Sequence, residues 1–478
     1  MDNTFFFYDL ETTGLSAREA RIMQFAGQRT DLDMNPVGEP ENHLIKQTED
    51  ILPEPSAIMV TGITPQKTLA EGITEDAFIK IFNQQISKPG TIFIGYNNIS
   101  FDDEFMRFLL YRNLYDSYEW QWRDQRSKWD LLDVIRMTRA LRPEGVNWPN
   151  DKDNVSTNRL EILAKANNIS HLKAHDAMSD VEALIALAKL LKEKQPKLFS
   201  YLLDMRDKNK VADFVLKNPK FVHVSGGYSI DNEKASIVTV IPNSQTKQGV
   251  MIYDLTKDPS IYENMSASEI VEVWKYNKDE PDNRLPVKNL QFNRCPAIAP
   301  TAVLLPEDWK RLKLEKTTID KNYTKLLSMN GFLEKILEAR DLLDNQRSDD
   351  QNKYKANFEA NLYNGFIGDQ DKKVMAQVHQ TAYDYSKMPN FLDERLVKIY
   401  PLYVARNYPE QKNDEINEIW QKHQHDYFYS DGDNSRASQY YKKLEEIAKN
   451  PKTTKEQLFI LEELKLWAEA IMPSGDDF

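Results

Sequence analysis

Short apolar runs alternate with periodic, helix-like segments in the first part of the chain. The runs Thr4 to Tyr8 and Thr91 to Ile94 are rich in aromatic and β-branched residues, which predicts buried strands. Apolar residues at helical spacing follow Asp102 and Asp176, and predict a helix after each of these positions. This alternation predicts an α/β domain with a central sheet, to which we assign residues 1–192.

The pattern changes after a lysine-rich stretch from Glu193 to Lys220. Short β-branched runs bounded by Gly, Pro or Asn begin at Phe221, Ala235 and Gly249, and they predict the strands of a small β-rich domain. Helical periodicity returns towards the end of this region. We therefore predict a β-rich domain with a helical extension over residues 193–347.

The last part of the chain, from about Ser348, is charged and periodic and has few β-branched runs. Two of its stretches, Arg436 to Ala448 and Thr454 to Ile471, have the apolar spacing of amphipathic helices. Residues 348–478 are therefore predicted to form an α-helical C-terminal domain.

Composition supports a folded chain of several domains. The 478 residues are 41% hydrophobic and 28% charged, and this length fits two or three domains of ordinary size. Cys295 is the only cysteine, which excludes an intrachain disulfide and a zinc site made of several thiolates. The start of the chain lacks a signal-peptide pattern, and no stretch has the roughly 20 apolar residues of a membrane span. We expect a cytoplasmic protein that does not bind a membrane.

The net charge of −12 argues mildly against a nucleic-acid partner, because phosphate binding relies on Lys and Arg. The charge is uneven, however: Leu191 to Lys220 holds eight basic and four acidic residues. A second basic cluster consists of Lys310, Arg311, Lys313, Lys316, Lys321 and Lys325. Solvated helix faces also produce such clusters, so they permit DNA binding without indicating it.

The first candidate for chemistry is Asp9-Leu10-Glu11, at the end of the first predicted strand. Residues i and i+2 of a strand share a face, so Asp9 and Glu11 project side by side. Adjacent carboxylates repel each other unless cations bind them, and Mg²⁺ and Mn²⁺ prefer such oxygen ligands. An isolated Asp-x-Glu is more often an ordinary polar turn after a strand.

Two further acidic segments follow. Asp102 lies between the strand Thr91 to Ile94 and a predicted helix, where it either binds metal or caps the helix, and Asp103 competes with it for both roles. His175 and Asp180 flank the start of another predicted helix, where an Asp commonly answers the helix dipole and a His is commonly a surface residue. Each ordinary explanation is adequate alone, but none accounts for the whole set occurring in order.

This order of residues resembles the DEDDh branch of the proofreading-type exonuclease superfamily, which is named after four carboxylates and a histidine. The resemblance assigns Asp9 and Glu11 to the first motif, Asp102 to the second, and Asp180 with His175 to the third.

The likeness extends along nearly the whole chain to the bacterial exodeoxyribonuclease I family. The segments that resemble this family are Gly62–Gln66, Gly95–Asn98, Phe101–Glu104, Trp129–Asp133, Leu141–Pro149, His223–Gly226, Leu362–Phe366 and Ala405–Pro409. The resemblance implies a ribonuclease H-like α/β exonuclease domain, then an SH3-like β-rich domain, then an α-helical C-terminal domain. These match the three regions predicted from the hydrophobic pattern.

The resemblance also implies a function: 3′→5′ hydrolysis of single-stranded DNA to 5′-mononucleotides by a two-metal mechanism, in DNA repair and recombination. It implies two Mg²⁺ ions, replaceable by Mn²⁺, and a multi-domain clamp that makes digestion processive. The residues that it assigns are Asp9, Glu11, Asp102 and Asp180 as metal ligands, His175 as general base, and Glu11 and Arg159 as substrate contacts. Its partners would be single-stranded DNA and the C-terminal tail of single-stranded DNA-binding protein, and the chain would be a monomer.

Two other functions stay open from the residues. A 3′ exoribonuclease of the same superfamily would keep the carboxylates but normally lacks further domains of this size. A DNA-binding relative without activity would have lost a carboxylate, whereas all four are present with the histidine. Comparing the cleavage of single-stranded DNA with that of RNA distinguishes an exoribonuclease from a deoxyribonuclease. Binding of DNA without metal-dependent cleavage would identify a DNA-binding relative.

Overall fold

The computed structural model describes residues 3–170, 176–275, 284–351, 357–380 and 383–473. Its strands are β1 (Thr4–Thr12), β2 (Ile22–Thr30), β3 (Glu41–Leu44), β4 (Thr91–Gly95), β5 (Ser127–Asp130), β6 (Phe221–Val224), β7 (Ala235–Val240), β8 (Gly249–Asp254), β9 (Val287–Gln291) and β10 (Ala297–Pro300).

The α-helices of the first half are α1 (Pro55–Thr61), α2 (Pro65–Glu71), α3 (Glu75–Ile81), α4 (Asp102–Arg112), α5 (Leu131–Leu141), α6 (Leu160–Ala166), α7 (Ala177–Lys194), α8 (Pro196–Asp204) and α9 (Lys208–Lys217). Those of the second half are α10 (Ala267–Trp274), α11 (Pro306–Arg311), α12 (Lys316–Ser328), α13 (Phe332–Gln351), α14 (Asp369–Val378), α15 (Glu394–Asn407), α16 (Asp414–Tyr429), α17 (Arg436–Ala448) and α18 (Lys455–Ile471). No helix in the described ranges is long and apolar enough to cross a membrane.

The chain forms two compact units that do not follow its linear order. The first contains Met1–Ser127, Leu172–Glu182 and Tyr354–Phe478, and the second contains Lys128–His171 and Ala183–Lys353. The helix α7 continues to Lys194, past the predicted boundary at residue 192. The division into domains at 192 and 347 stays a prediction.

The sheet of the first unit is built around β1. Its strands lie in the order β3-β2-β1-β4, with β1 antiparallel to β2 and parallel to β4. The aromatic run of β1 explains this central place, because Phe5, Phe6, Phe7 and Tyr8 are each at most 2% exposed. Burying a phenylalanine side chain contributes about 1.5–3 kcal/mol, so this strand is a main source of stability for the sheet.

The segment Gly62-Ile63-Thr64-Pro65 separates two short helices. Gly62 ends α1 in the left-handed conformation, at φ 69°, which a residue with a side chain adopts only at a cost. Thr64 then caps α2 by accepting a hydrogen bond from the backbone N–H of Lys67, and Pro65 occupies the first helical position. Local sequence thus fixes α1, whose position matters for the site described below.

The helices after Tyr354 share a core with the nuclease-like part of the first unit. Phe108 and Tyr111 of α4 belong to one buried cluster with Leu396 and Tyr403 of α15. A second cluster joins Ile58 of α1 to residues of α17 and α18. The predicted helical character of the C-terminal region is confirmed, and its helices complete the hydrophobic core of this unit.

The second unit contains an antiparallel sheet in the order β10-β6-β7-β8-β9. The predicted strands at Phe221, Ala235 and Gly249 are β6, β7 and β8, so the β-rich prediction is confirmed. Val211 and Val215 of α9 pack on the same core as Phe221 and Ile298. The helices α11 to α13 form the predicted helical extension.

Candidate active site and metal centre

The end of strand β1 holds two acidic side chains on one face. Asp9 and Glu11 are partly exposed, whereas Leu10 between them is buried in the core. The register between β1 and β2 shifts between Glu11 and Thr12, which is where the regular ladder ends. The predicted side-by-side arrangement of the two carboxylates is confirmed.

Asp180, in the first turn of α7, completes a cluster with these two residues. One carboxylate oxygen from each of Asp9, Glu11 and Asp180 lies within 4.8 Å of the other two. Oxygen ligands at about 2.0–2.6 Å from one divalent ion stand at most about 5 Å apart, so these three groups fit a shared cation. The distance in sequence between Glu11 and Asp180 shows that the fold, not local structure, builds this cluster.

Burial and neighbouring carboxylates dominate the electrostatics of the cluster among the described residues. Burial raises the pKa of Asp9 well above its usual value, and the charges of Asp102, Asp180 and Glu11 raise it further. Burial also raises the pKa of Glu11 to about 8, with added contributions from Asp180, Asp102 and Asp176. Carboxylates held this close resist ionisation unless a cation neutralises them, so the donor set fits a hard divalent metal.

Asp102 and Asp103 have different surroundings, which separates their roles. Asp102 is the first residue of α4. The N-cap position belongs to Phe101, whose side chain makes no capping hydrogen bond. Asp102 is therefore not the N-cap residue of α4. Its side chain is 4% exposed, and its charge raises the pKa of both Asp9 and Glu11. These observations place it near the carboxylate cluster, although it is not one of the three residues whose oxygens lie within 4.8 Å of one another.

Asp103 instead belongs to the core. It is fully buried, and its Oδ1 accepts a hydrogen bond from the Tyr8 hydroxyl at 2.5 Å and from the Asn98 amide at 3.3 Å. Asn98 packs so closely on Gly95 that a Cβ at Gly95 would lie 2.5 Å from that of Asn98. The segment from Gly95 to Asp103 therefore ties β1 to the start of α4, and holds Asp102 in place.

The structure does not test two of the predicted site residues. His175 lies outside the described residues. Arg159 belongs to the second compact unit, where it precedes α6 with an exposed side chain. The roles of both residues stay predictions.

A cleft next to Glu11 contains residues that the sequence did not suggest. It has a volume of about 620 Å³ and is lined by Glu11 to Ser16, by one face of α1, and by Tyr427 and Arg436 from the C-terminal helices. No local motif marks Tyr427 or Arg436, because tertiary packing alone brings them here from more than 400 residues along the chain. Glu11 belongs both to the carboxylate cluster and to the wall of the cleft. A ligand in the cleft would therefore lie next to the carboxylates.

Three family descriptions match successive parts of the chain. The description "Exonuclease" matches residues 6–188, "Exonuclease I SH3-like domain" matches residues 206–339, and "Exonuclease I C-terminal domain" matches residues 356–471. The predicted sequence of an α/β exonuclease domain, an SH3-like domain and a helical C-terminal domain is confirmed.

Curated relatives match over most of their length. Exodeoxyribonuclease I of Escherichia coli (strain K12) is 36% identical over 479 residues, covering 98% of this chain and 98% of the relative. Exodeoxyribonuclease I of Haemophilus influenzae is 40% identical over 419 residues, covering 85% of this chain and 87% of the relative.

Solved structures agree in fold. E. coli exonuclease I in complex with a dA16 oligonucleotide superimposes with a TM-score of 0.90 at 35% identity, covering 98% of this chain and 100% of that structure. The zinc-bound form of the E. coli complex with single-stranded DNA gives 0.89 at 35% identity, with coverages of 98% and 100%. A structure of SSB and exonuclease I with an inhibitor gives 0.87 at 35% identity, with coverages of 99% and 100%. With its carboxylate cluster, its three matched domains and relatives alike over nearly their full length, the chain belongs to the exonuclease I family of nucleases.

Proposed function

We propose that the chain hydrolyses single-stranded DNA from the 3′ end and releases 5′-mononucleotides. The observation that carries this proposal is the set of carboxylate oxygens of Asp9, Glu11 and Asp180 within 4.8 Å of one another, beside a cleft of about 620 Å³. The cluster suits phosphodiester hydrolysis, and the cleft offers room for the terminal nucleotide. Oligonucleotide complexes of the E. coli relative support DNA as the substrate.

Asp9, Glu11, Asp102 and Asp180 would hold two divalent ions. When bound, such ions activate water, neutralise the phosphate and stabilise the leaving 3′ oxygen. Mg²⁺ is the proposed metal, with Mn²⁺ as a substitute, because both take carboxylate oxygens and retain open positions for substrate. Asp102, the first residue of α4, would complete this ligand set, and Leu10 anchors the strand that carries Asp9 and Glu11.

The chain's own residues would move the proton and hold the strand. His175 takes a proton from the attacking water, because its ordinary pKa near 6.5 suits a general base at neutral pH. Arg159 contacts a substrate phosphate through its planar guanidinium. Glu11 serves both the metal site and the terminal nucleotide, since it belongs to the cluster and to the cleft wall.

Partner and assembly form a second part of the proposal. The relative solved together with SSB supports binding of the single-stranded DNA-binding protein. We propose that the C-terminal tail of that protein makes the contact. We infer that the chain acts as a monomer in DNA repair and recombination.

The substrate experiment uses matched strands. Mononucleotide release is measured with Mg²⁺ from single-stranded DNA, single-stranded RNA of the same sequence and blunt duplex DNA, each labelled at the 3′ or the 5′ end. The proposal predicts immediate release of the 3′ label from single-stranded DNA and much slower reactions on the other two. Faster degradation of RNA would make the chain an exoribonuclease, and tight binding without release would make it a DNA-binding protein.

A further inference from the structure

The cleft next to Glu11 has an unusual balance of charge for a site that receives DNA. Three glutamates line it, Glu11, Glu19 and Glu54, and Arg436 is the single basic side chain among the described lining residues. Metal ions bound at the carboxylate cluster would compensate Glu11, and Lys443, which does not line the cleft, forms an ion pair with Glu54. Arg436 is therefore the basic group of the cleft wall that is placed to attract a strand.

Arg436 is held in position on two sides. Its Nη2 donates to Oε1 of Glu19 at 3.1 Å, and its Cζ lies 4.6 Å from the ring centroid of Tyr427. The Tyr427 hydroxyl accepts a hydrogen bond from the backbone N–H of Leu52 at 3.4 Å, which fixes the ring that supports the guanidinium. Despite these contacts, 46% of the Arg436 side chain is exposed. The guanidinium is thus oriented in advance, and retains surface for a ligand.

The partner that Arg436 already has indicates the chemistry of its ligand. The carboxylate of Glu19 is an oxyanion bound to guanidinium donors at the cleft wall. A phosphate group also offers negatively charged oxygens, and has more of them than a carboxylate. Arginine binds carboxylates and phosphates alike through paired N–H donors of its planar guanidinium. Glu19 therefore marks a place where a backbone phosphate can bind.

We propose that Arg436, supplied by α17 of the C-terminal region, is a substrate-binding residue that contacts a backbone phosphate near the 3′ end of the strand. This inference rests on the proposed function, because it requires a DNA strand in the cleft. The C-terminal region thereby contributes directly to substrate binding beside the metal cluster. Glu19 competes with the strand for the guanidinium and keeps it oriented when the cleft is empty.

Lys443 offers a matched control. It lies on the same helix α17 and forms an ion pair with Glu54, which lines the cleft as Glu19 does, yet Lys443 itself does not line it. If the two ion pairs only attach α17 to the rest of the unit, loss of Arg436 and loss of Lys443 should change DNA affinity equally. If Arg436 binds the strand, its loss should weaken DNA binding more than the loss of Lys443.

The test measures binding of a fluorescent single-stranded oligonucleotide at several salt concentrations, with a chelator to prevent cleavage. Arg436→Gln is expected to raise Kd about tenfold at low salt, the loss of one charged hydrogen-bonded contact. The slope of log Kd against log salt should fall by about 0.7, the contribution of one phosphate contact on a single strand. Arg436→Lys should retain the slope, and Glu19→Gln should lower Kd. Lys443→Gln should also retain the slope, with at most a small rise in Kd, because it removes the partner of Glu54 but no phosphate contact.

Kinetics on the same strands with Mg²⁺ complete the test. Arg436→Gln should raise KM with little change in kcat, because the contact is made before and during the chemical step. Equal effects of Arg436→Gln and Lys443→Gln, or an unchanged salt slope, would overturn the inference. So would an effect confined to strands that end in guanine, since this would show a base contact. If wild type neither binds nor degrades single strands, the proposed function itself fails.

Discussion

At the scale of single residues, the neighbouring aspartates Asp102 and Asp103 show how one position in a chain decides a role. Both lie in the first turn of α4 and both are buried. Asp102 acts on the pKa of Asp9 and Glu11, whereas Asp103 accepts hydrogen bonds from Tyr8 and Asn98. Residue type and sequence position do not distinguish the two, so the sequence alone left their roles open.

Substitution of each aspartate by asparagine separates these roles. Asp102→Asn is expected to lower the rate of mononucleotide release by at least about 10³-fold, because it removes a group that stabilises the reacting charges. The free energy of unfolding should stay unchanged or increase, because one of several repelling carboxylates is lost. Asp103→Asn should instead destabilise the fold by about 1–3 kcal/mol, because it disturbs a buried hydrogen bond. Urea unfolding and steady-state rates measure both effects. A folded, fully active Asp102→Asn variant would contradict the assignment.

At the scale of elements, a buried ion network fastens α15 to the loop after β3. Arg406 donates to Asp50 at 2.6 Å and to Glu359 at 2.9 Å, and Arg21 pairs with Glu359 at 3.1 Å. These four side chains are each at most 7% exposed. The segment Ala405–Pro409, noted in the sequence for its resemblance alone, therefore has a structural role: it docks the C-terminal helices.

Loss of the central arginine tests this docking. Arg406→Met should destabilise the protein by about 3–5 kcal/mol, because two carboxylates then stay buried without their main partner. Lys449→Met is the control, since it removes an exposed pair with Glu445 on α17 and should leave the free energy of unfolding nearly unchanged. Equal stability of the two variants would show that the network does not hold the helices.

The same network gives stability a dependence on acid. Burial raises the pKa of Asp50, but Arg406, the hydrogen bond from His423 and the charge of Arg21 outweigh burial and hold it well below its usual value. For Glu359, burial is likewise outweighed, by Arg406 and Arg21, so its pKa is also lowered. Carboxyl groups with lowered pKa in the folded state stabilise it above their unfolded pKa values, near 4, and lose this contribution as the pH falls through the folded values.

We therefore expect the free energy of unfolding to fall steadily with pH below about 4. Arg406→Met should show a smaller acid-dependent loss, because Asp50 and Glu359 no longer have their main cause of a lowered pKa. Urea titrations of both proteins between neutral pH and pH 3 measure the difference. Parallel curves for the two proteins would contradict this explanation.

The basic clusters illustrate the limit of reading charge from sequence. Within the second unit, Lys220 pairs with Asp320, Lys313 with Asp231 at 3.2 Å, and Lys325 with Glu263. Three cations of the two clusters are therefore paired with acids distant in sequence. Arg436 lies in neither basic cluster, yet it lines the cleft, where it pairs with Glu19. Tertiary structure, which sequence periodicity does not report, decides which cations face a cleft.

At the scale of the whole molecule, the type of most strands and helices was predictable from the sequence, whereas the way they pack into compact units was not. The strand at Thr4, the helix after Asp102 and the helix Arg436–Ala448 were predictable, because apolar spacing and short-range chemistry determine them. The compact units were not, because residues after Tyr354 join the first 127 residues through contacts far apart in the chain. The metal ligands became predictable only as an ordered set, since each alone has an ordinary structural explanation.

The carboxylate cluster is proposed as a metal-dependent catalytic site for single-stranded DNA. Its decisive measurement is the release of mononucleotides from 3′-labelled single-stranded DNA by wild type and by Asp180→Ala, with Mg²⁺ and with a chelator. We expect rapid release by wild type with Mg²⁺, none with the chelator, and a loss of at least about 10³-fold in Asp180→Ala, which should fold normally. Release that survives the chelator, or an active Asp180→Ala variant, would contradict this proposal.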